Sequence, residues 1–94
     1  MIRFDWDERK NASNRRKHGI WFEEAQQVFD DSQALMFHDP EHSEEEDRFL
    51  LLGMSGSARV LVVVYCERDR GGVIGIISAR KAKKREMERD EKGI

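Results

Sequence analysis

The segment Arg59-Val60-Leu61-Val62-Val63-Val64-Tyr65-Cys66 decides the fold of this 94-residue chain. Its apolar side chains follow one another without the alternation of a strand that has one face in solvent, so both faces must be buried. We therefore expect residues 59–66 to form the central strand of a β-sheet. The longest uninterrupted apolar run, residues 60–66, is too short to span a membrane.

Turn residues separate this segment from a strand on either side. Ser55-Gly56-Ser57 precedes it and Asp69-Arg70-Gly71-Gly72 follows it, and both stretches are rich in residues that favour turns. The sequence predicts five strands in all. These are residues 59–66, a short edge strand at residues 4–6, and strands at residues 34–37, 48–54 and 73–79.

Two helices are predicted before the four consecutive strands. Asp7 is a good N-cap for a helix over residues 8–18, and Gly19 fits the position just past its end. Apolar residues recur at helical spacing over residues 22–29 and form one face of a second helix.

A third helix is predicted over residues 81–91, at the end of the chain. The predicted fold class is therefore α+β: an antiparallel sheet meander with two N-terminal helices and one C-terminal helix packed on it. A chain of this length builds one domain, residues 1–94.

Charge is segregated along the chain, although the net charge is only -2. Residues 1–20 and 59–85 are rich in Lys and Arg, whereas residues 20–47 hold ten acids and no Lys or Arg. Such a chain can present one basic face to a nucleic acid, and the alternative is that these charges only solvate a small surface.

The single cysteine and the N-terminal residues indicate in which cellular compartment the protein is expected. Cys66 is the single cysteine and lies in an apolar run, so we expect a buried thiol rather than an exposed nucleophile. The charged start Met1-Ile2-Arg3-Phe4-Asp5 is unlike a signal peptide. We expect a cytoplasmic protein with no membrane partner.

Short motifs over residues 4–88 resemble the BrnT family of toxins, whose fold is similar to that of RelE-type ribonucleases. No single motif is decisive, and their order and spacing carry the resemblance. The motifs are Phe4-Asp5-Trp6-Asp7, Lys10-Asn11, Asn14, Lys17-His18-Gly19-Ile20, Phe22-Glu23-Glu24-Ala25, Val28-Phe29-Asp30-Asp31, Asp47-Arg48-Phe49, Gly53, Arg59-Val60-Leu61-Val62-Val63-Val64, Glu67-Arg68 and Ile76-Ile77-Ser78-Ala79-Arg80-Lys81-Ala82.

The resemblance implies a metal-independent endoribonuclease without a cofactor, which arrests growth by cleaving RNA. It also implies an antitoxin protein that neutralises the toxin, in a heterotetramer with paired copies of each protein. Promoter DNA is expected to be bound only through the antitoxin.

Three positions depart from the family pattern. Gly75 stands where an Arg is expected, Trp21 where a small polar helix cap is usual, and Asp90 near the place of an aromatic residue. Gly75 supports an alternative hypothesis, a catalytically weak or inactive RelE-like binding module that acts only in an antitoxin complex repressing its own promoter. A stand-alone nucleic-acid-binding domain is disfavoured, because the acidic middle of the chain would repel a phosphate backbone.

RNA cleavage without a metal needs a base for the 2′-hydroxyl proton, cations for the phosphorane and an acid for the leaving oxygen. Arginine suits the second role because its planar fork matches phosphate oxygens.

The expected hairpin register puts Gly53 beside Arg59, Arg48 near Val64, and Arg80 opposite Arg59 and Val60. Arg68 then lies at the other end of the sheet, about 26 Å away.

This register predicts two separate clusters of site residues. The first holds Arg59, Arg80 and Lys81, extended by Lys83, Lys84 and Arg85, and the second holds Arg48, Tyr65, Glu67 and Arg68. We predict phosphate binding centred on Arg80 with Arg59 beside it. The predicted catalytic residues are Arg80, Arg59, Glu67 and Arg68, and the predicted RNA-binding residues are Lys17, His18, Arg48, Lys81, Lys83 and Lys84.

Each of these predictions has a simpler alternative. The second cluster can consist of surface ion pairs at strand ends, and Lys17 and His18 can simply finish the first helix. The basic start of the last helix can bind acidic residues of an antitoxin.

A zinc site at His38 and His42 is disfavoured, because Pro40 breaks the helix between them and no third ligand is near. The aromatic residues Trp6, Trp21 and Phe22 are expected in the core rather than stacked on bases.

Overall fold

A computed structural model describes residues 2–42 and 46–91 of the chain. The helices and strands of this part are, in order, β1 Arg3–Asp5, α1 Glu8–His18, α2 Phe22–Gln27, β2 Leu35–His38, β3 Arg48–Met54, β4 Val60–Arg68, β5 Val73–Lys81 and α3 Lys84–Glu91. Short 3-10 turns lie at Val28–Asp30, Pro40–His42 and Asp69–Gly71. The predicted α+β class is confirmed. The third helix begins later than predicted because β5 continues to Lys81.

The sheet has the order β1-β5-β4-β3-β2, so β4 is central as predicted. The neighbours β2 and β3, β3 and β4, and β4 and β5 are antiparallel, whereas β1 and β5 are parallel. The prediction of an antiparallel meander is therefore wrong at one edge. Helices α1 and α2 carry the chain from one edge of the sheet to the other, and β1 is left beside the last strand, running in the same direction.

Helices α1 and α2 pack on one face of the sheet. The core between them contains Ile20, Phe22, Leu61 and Val63, whose side chains have no exposed surface. Tyr65 belongs to the same core. In the part of the chain that the structure describes, no helix is long and apolar enough to cross a membrane.

Two buried asparagines attach the polar helix α1 to the rest of the fold. The Asn14 amide donates hydrogen bonds to the carbonyl oxygens of Ile20 and Ala79, at 2.9 and 2.8 Å, and accepts one from the Ala79 N–H at 3.1 Å. Because β1 pairs with β5 only as far as Gly75, this amide takes the place of a strand partner further along β5. Asn11 similarly accepts a hydrogen bond from the Phe22 N–H at 2.7 Å.

The strand register differs from the predicted one. Gly53 pairs with Leu61 rather than Arg59, because the turn that precedes β4 includes Ala58, which has a φ of 60°. Arg48 consequently pairs with Cys66 instead of Val64. Arg80 pairs with Val62, and a β-bulge opposite Val64 and Tyr65 interrupts the register of β4 and β5.

Candidate nucleic-acid interface and active site

A row of paired residues crosses four strands at one end of the sheet. Asp5 pairs with Gly75, Gly75 with Cys66, and Cys66 with Arg48. The two middle residues, Gly75 and Cys66, have no side chain and a small one, so they leave a depression in the sheet surface. The two end residues, Asp5 and Arg48, are charged. The row forms the floor of a cleft of about 500 Å³.

We call this the Gly75 cleft. It lies at the sheet face opposite the Tyr65 core, because neighbouring residues of a strand point to opposite faces. Its lining consists of Asp5, Trp6, Asp7, Lys10, Glu46, Arg48, Cys66, Arg68, Gly75, Ile76 and Ile77.

The guanidinium of Arg68 lies over Gly75. A Cβ atom at position 75 would be only 2.4 Å from Arg68 Nη2, so the glycine leaves room for this side chain. Arg68 Nε lies 3.1 Å from Glu46 Oε2, and Nη2 lies 3.5 Å from Asp5 Oδ2. The Arg68 side chain is 44% exposed, so a ligand in the cleft can still reach it.

The second predicted cluster is divided between the two faces of the sheet. Tyr65 stacks on Phe49, with ring centroids 5.5 Å apart, and contacts Phe29 edge-on at 4.9 Å. Burial raises the pKa of the Tyr65 phenol to about 12, so this group holds its proton at neutral pH. Strand alternation puts Glu67 on the face of Tyr65 and away from Arg68. The carboxylates beside Arg68 are therefore those of Asp5 and Glu46, and the predicted grouping with Glu67 is wrong.

The first predicted cluster is also divided. Arg59 forms an ion pair with Glu24 of α2 through two hydrogen bonds, one of them from Nε to Oε2 at 2.9 Å. Arg80 instead binds both carboxylate oxygens of Glu86 in α3, at 2.9 Å each. Arg80 is the neighbour of Val62, which points to the opposite face from Leu61 and the core. The prediction that Arg59 and Arg80 lie side by side is therefore wrong.

Glu86 also organises the basic start of α3. The Lys83 N–H donates a hydrogen bond to its Oε1 at 2.7 Å, as in a helix cap. The hydrogen bonds from Arg80 lower the pKa of the Glu86 carboxyl to about 2. The predicted RNA-binding residues Lys81, Lys83 and Lys84 are exposed around this pair, as is Arg85.

Lys17 and His18 line a second cleft. The sequence alone did not indicate where they lie relative to the two predicted clusters. This second cleft has a volume of about 180 Å³ and lies between α1 and β5. We call it the Lys17 groove, and its lining consists of Lys10, Ser13, Asn14, Lys17, His18, Ile77 and Ser78. Lys10 and Ile77 line the Gly75 cleft as well, so the two clefts adjoin.

The remaining predictions concern metals and aromatic side chains. Among residues 2–42 and 46–91, no three His, Cys, Asp or Glu side chains are grouped to hold a metal ion. His38 Nε2 lies 3.8 Å from Asp47 Oδ1, and the side chains of His42 and Asp90 lie outside the described part.

Phe22 is in the core as predicted, and Trp6 packs edge-on against it with ring centroids 6.0 Å apart. Trp21 is 47% exposed beneath the Arg15 guanidinium, so its predicted core position is wrong. Its extended backbone forms the N-cap of α2, between the buried Ile20 and Phe22.

Several residues of the Gly75 cleft are absent from the predicted site. For Lys10 the sequence does hold a signal, since its spacing from Ser13 and Lys17 puts all three on one side of a helix. Asp5 becomes a cleft residue only through the parallel pairing of β1, which no local pattern indicates. Nothing in the sequence signals that Glu46 reaches Arg68.

The fold has a counterpart among solved structures of ribonuclease toxins. The chain is similar to the 1.1 Å crystal structure of the Brucella abortus ribonuclease toxin BrnT, with a TM-score of 0.67 and 21% sequence identity. The match covers 89% of this chain and 100% of the Brucella chain. At this identity the likeness concerns the fold.

The sequence itself decides the family. A profile described as the ribonuclease toxin BrnT of type II toxin–antitoxin systems matches residues 6–86, and a search of curated proteins finds no match. The chain belongs to the BrnT family of ribonuclease toxins, as the sequence motifs predicted. As a type II toxin it has an antitoxin protein as its partner.

Proposed function

We propose that this toxin is an endoribonuclease that cleaves RNA without a metal ion, and that the scissile phosphate binds in the Gly75 cleft. The observation that carries the proposal is the placement of Arg68 over Gly75, between Asp5 and Glu46. Arg48 lies at the far end of the same row of residues. Cations and carboxylates thus meet in one accessible cleft, which is the combination that metal-free phosphodiester cleavage requires.

The proposed reaction uses the 2′-hydroxyl of the RNA as the nucleophile. Asp5 or Glu46 accepts its proton while the 2′-oxygen bonds to phosphorus, and Arg68 stabilises the charge on the phosphorane oxygens. The bond from phosphorus to the 5′-oxygen then breaks, and the Lys10 ammonium is the donor in the cleft that can protonate this leaving group. The products are a 2′,3′-cyclic phosphate and a 5′-hydroxyl end.

Arg80 and Arg59 take different parts in this proposal. Both carboxylate oxygens of Glu86 already occupy the Arg80 fork, and Glu24 occupies that of Arg59. We assign Arg80, with Lys81, Lys83 and Lys84, to an RNA-binding surface outside the reacting centre. Arg59, through its ion pair with Glu24, joins α2 to the turn between β3 and β4.

The partner relations follow the type II pattern in this proposal. The antitoxin neutralises the toxin in a heterotetramer with two copies of each protein, and promoter DNA is bound only through the antitoxin. The toxin acts in the cytoplasm, and its fold is RelE-like.

The test is an incubation of the purified chain with a labelled single-stranded RNA, with and without EDTA. We expect the same cleavage rate in both, and fragments that end in a cyclic phosphate and a 5′-hydroxyl. Cleavage that EDTA abolishes and a divalent ion restores would contradict the metal-free mechanism. A 3′-hydroxyl end would contradict the 2′-hydroxyl as nucleophile.

A second candidate function rests on the ion pairs themselves. Arg59, Arg68 and Arg80 each have a carboxylate partner, which reduces the positive charge available to a phosphate. A binding module that only represses its promoter together with the antitoxin would show this pattern. It predicts no RNA cleavage by the free chain and unchanged promoter binding by the complex of antitoxin and Arg68→Ala toxin.

A further inference from the structure

The Gly75 cleft and the Lys17 groove adjoin, and we call the two together the channel. Lys10 and Ile77 line both clefts, so a ligand that extends from one cleft into the other passes these two side chains. The channel follows β5 from Gly75 to Ser78, a distance of about 10 Å at the usual rise of a strand. Helix α1 forms its other wall, on the side where β1 has ended.

The cations in the Lys17 groove differ from the arginines of the sheet. In the part of the chain that the structure describes, Lys10 and Lys17 form no ion pair, whereas Arg59, Arg68 and Arg80 all have one. The two lysines are seven residues apart, or about two helical turns, and lie on the side of α1 that faces the channel. Their charge is therefore available to an anionic ligand.

We infer that single-stranded RNA reaches the Gly75 cleft along the Lys17 groove, with its phosphates bound by Lys10 and Lys17. The inference rests on the proposed function, because it supplies the path to the proposed cleavage site. A row of unpaired cations beside a narrow groove is the arrangement by which proteins follow a nucleic-acid backbone. Ser13 and Ser78 add hydroxyl groups between the lysines.

The shape of the groove favours a single strand. The groove is narrow, about 180 Å³ between a helix and a strand, whereas an A-form duplex is recognised across a wide, shallow surface. We therefore expect a single-stranded oligouridine to bind and the same length of RNA duplex to bind much more weakly.

The test measures binding apart from cleavage. The probe is a fluorescent 2′-O-methyl oligouridine, which lacks the nucleophile and cannot be cleaved, and its Kd is measured over a range of salt concentrations. The Lys10→Ala/Lys17→Ala variant is compared with Arg9→Ala/Arg16→Ala. The control pair lies on the same exposed helix surface with the same charge and spacing, but it lines neither cleft. Arg9 Nε lies 3.9 Å from Asp7 Oδ1, and the Arg9 side chain is 96% exposed.

We expect each lost lysine to weaken binding about threefold to tenfold and to reduce the slope of log Kd against log salt by about 0.7. The control pair should change the slope far less. Equal losses in both pairs would overturn the inference, since they would mean a diffuse effect of charge. So would a double-lysine variant that loses antitoxin binding and keeps its affinity for the oligouridine.

The inference and the proposed function fail in different ways. If the wild-type chain cleaves RNA while the lysine variants bind the probe with wild-type affinity and salt slope, the path is wrong and the cleavage site stands. If the wild-type chain binds the probe along Lys10 and Lys17 but cleaves no RNA, the path stands and the proposed activity is wrong.

Discussion

At the scale of single residues, Gly75 determines what the cleft can hold. The sequence marks this position only as a departure from the family pattern, where an Arg is expected. In the structure the Arg68 guanidinium fills the space above the glycine, because β4 and β5 are neighbours and Arg68 pairs with Val73, two residues from Gly75. A guanidinium is thus present over position 75, but it belongs to Arg68 of the adjacent strand β4 and not to residue 75 itself.

We predict that Gly75→Ala lowers RNA cleavage without unfolding the protein. The new Cβ would lie 2.4 Å from Arg68 Nη2, at the end of a flexible side chain that can move aside, and 2.9 Å from Sγ of the buried Cys66, which must shift slightly. Losing one charge-assisted contact in the transition state should reduce the rate about tenfold to a hundredfold, at a cost of about 1 kcal/mol in stability. In an Arg68→Ala background the same substitution should cause no further loss of rate, and an additional independent loss would refute this account of Gly75.

At the scale of secondary-structure elements, a side chain of α1 binds backbone groups at the edge of β5 that have no strand partner. Helix α1 has almost no apolar surface, so hydrophobic burial alone does not fix it on the sheet. The Asn14 amide does so by binding both the N–H and the C=O of Ala79, on the edge of β5 beyond the end of β1. The groove between α1 and β5 depends on this attachment.

We predict that Asn14→Ala destabilises the fold by about 3–5 kcal/mol, because it leaves three buried backbone groups without a hydrogen-bond partner. Urea denaturation monitored by circular dichroism measures this change. Arg16→Ala, at an exposed position of the same helix, should stay within about 0.5 kcal/mol of the wild type. Equal denaturation midpoints for Asn14→Ala and the wild type would contradict the role of the amide.

The turn before β4 offers a prediction in the opposite direction. Ala58 has a φ of 60°, a left-handed conformation that costs a residue with a Cβ about 1–2 kcal/mol. Ala58→Gly removes this strain, and part of the gain is offset because glycine loses more conformational entropy on folding. We expect a net stabilisation of about 0.5–1 kcal/mol in thermal or urea denaturation. A loss of stability would show that the turn is not strained.

The elements that depend on local pattern were predictable from the sequence. The apolar run identified the central strand, and Asp7 and Gly19 marked the ends of α1, where the structure has the N-cap and a left-handed C-cap. The place of β1 was not predictable, because its partner is set by the path of the whole chain. The register was missed for a related reason, since the positive φ of Ala58 and the bulge in β5 shift pairing without a clear signal in the sequence.

At the scale of the whole molecule, the segregated charges of the sequence become ion pairs between distant segments. The acidic segment, residues 20–47, contributes Glu24 and Glu46, and the basic segment, residues 59–85, contributes their partners Arg59 and Arg68. The segregation is visible in the sequence and predicts a basic face. Folding pairs Arg59, Arg68 and Arg80 with carboxylates, whereas Lys10 and Lys17 of α1 form no ion pair among the described residues. The candidate site was therefore only partly predictable from the charge pattern.

We predict that acid weakens the fold through these pairs. The folded-state pKa of Glu86 is about 2, below its ordinary value of 4.5, and Arg59 lowers the pKa of Glu24 as well. A depressed carboxyl pKa stabilises the fold above the unfolded-state value, and this contribution is lost as the pH falls from about 4.5 towards 2. The difference in unfolding free energy between the wild type and Glu86→Gln should therefore shrink across this range. A difference that does not depend on pH would contradict the ion pair.

Cleavage of RNA in the Gly75 cleft is tested by comparing the single-turnover cleavage rates of Arg68→Ala and Arg80→Ala. Both variants remove one arginine with a carboxylate partner, from the two neighbouring strands β4 and β5, and circular dichroism checks that each is folded. We expect Arg68→Ala to cleave about tenfold to a hundredfold more slowly than the wild type under saturating protein, while Arg80→Ala keeps its rate and binds RNA more weakly. A rate that falls in Arg80→Ala and is unchanged in Arg68→Ala would rule out the Gly75 cleft and place the chemistry at the start of α3.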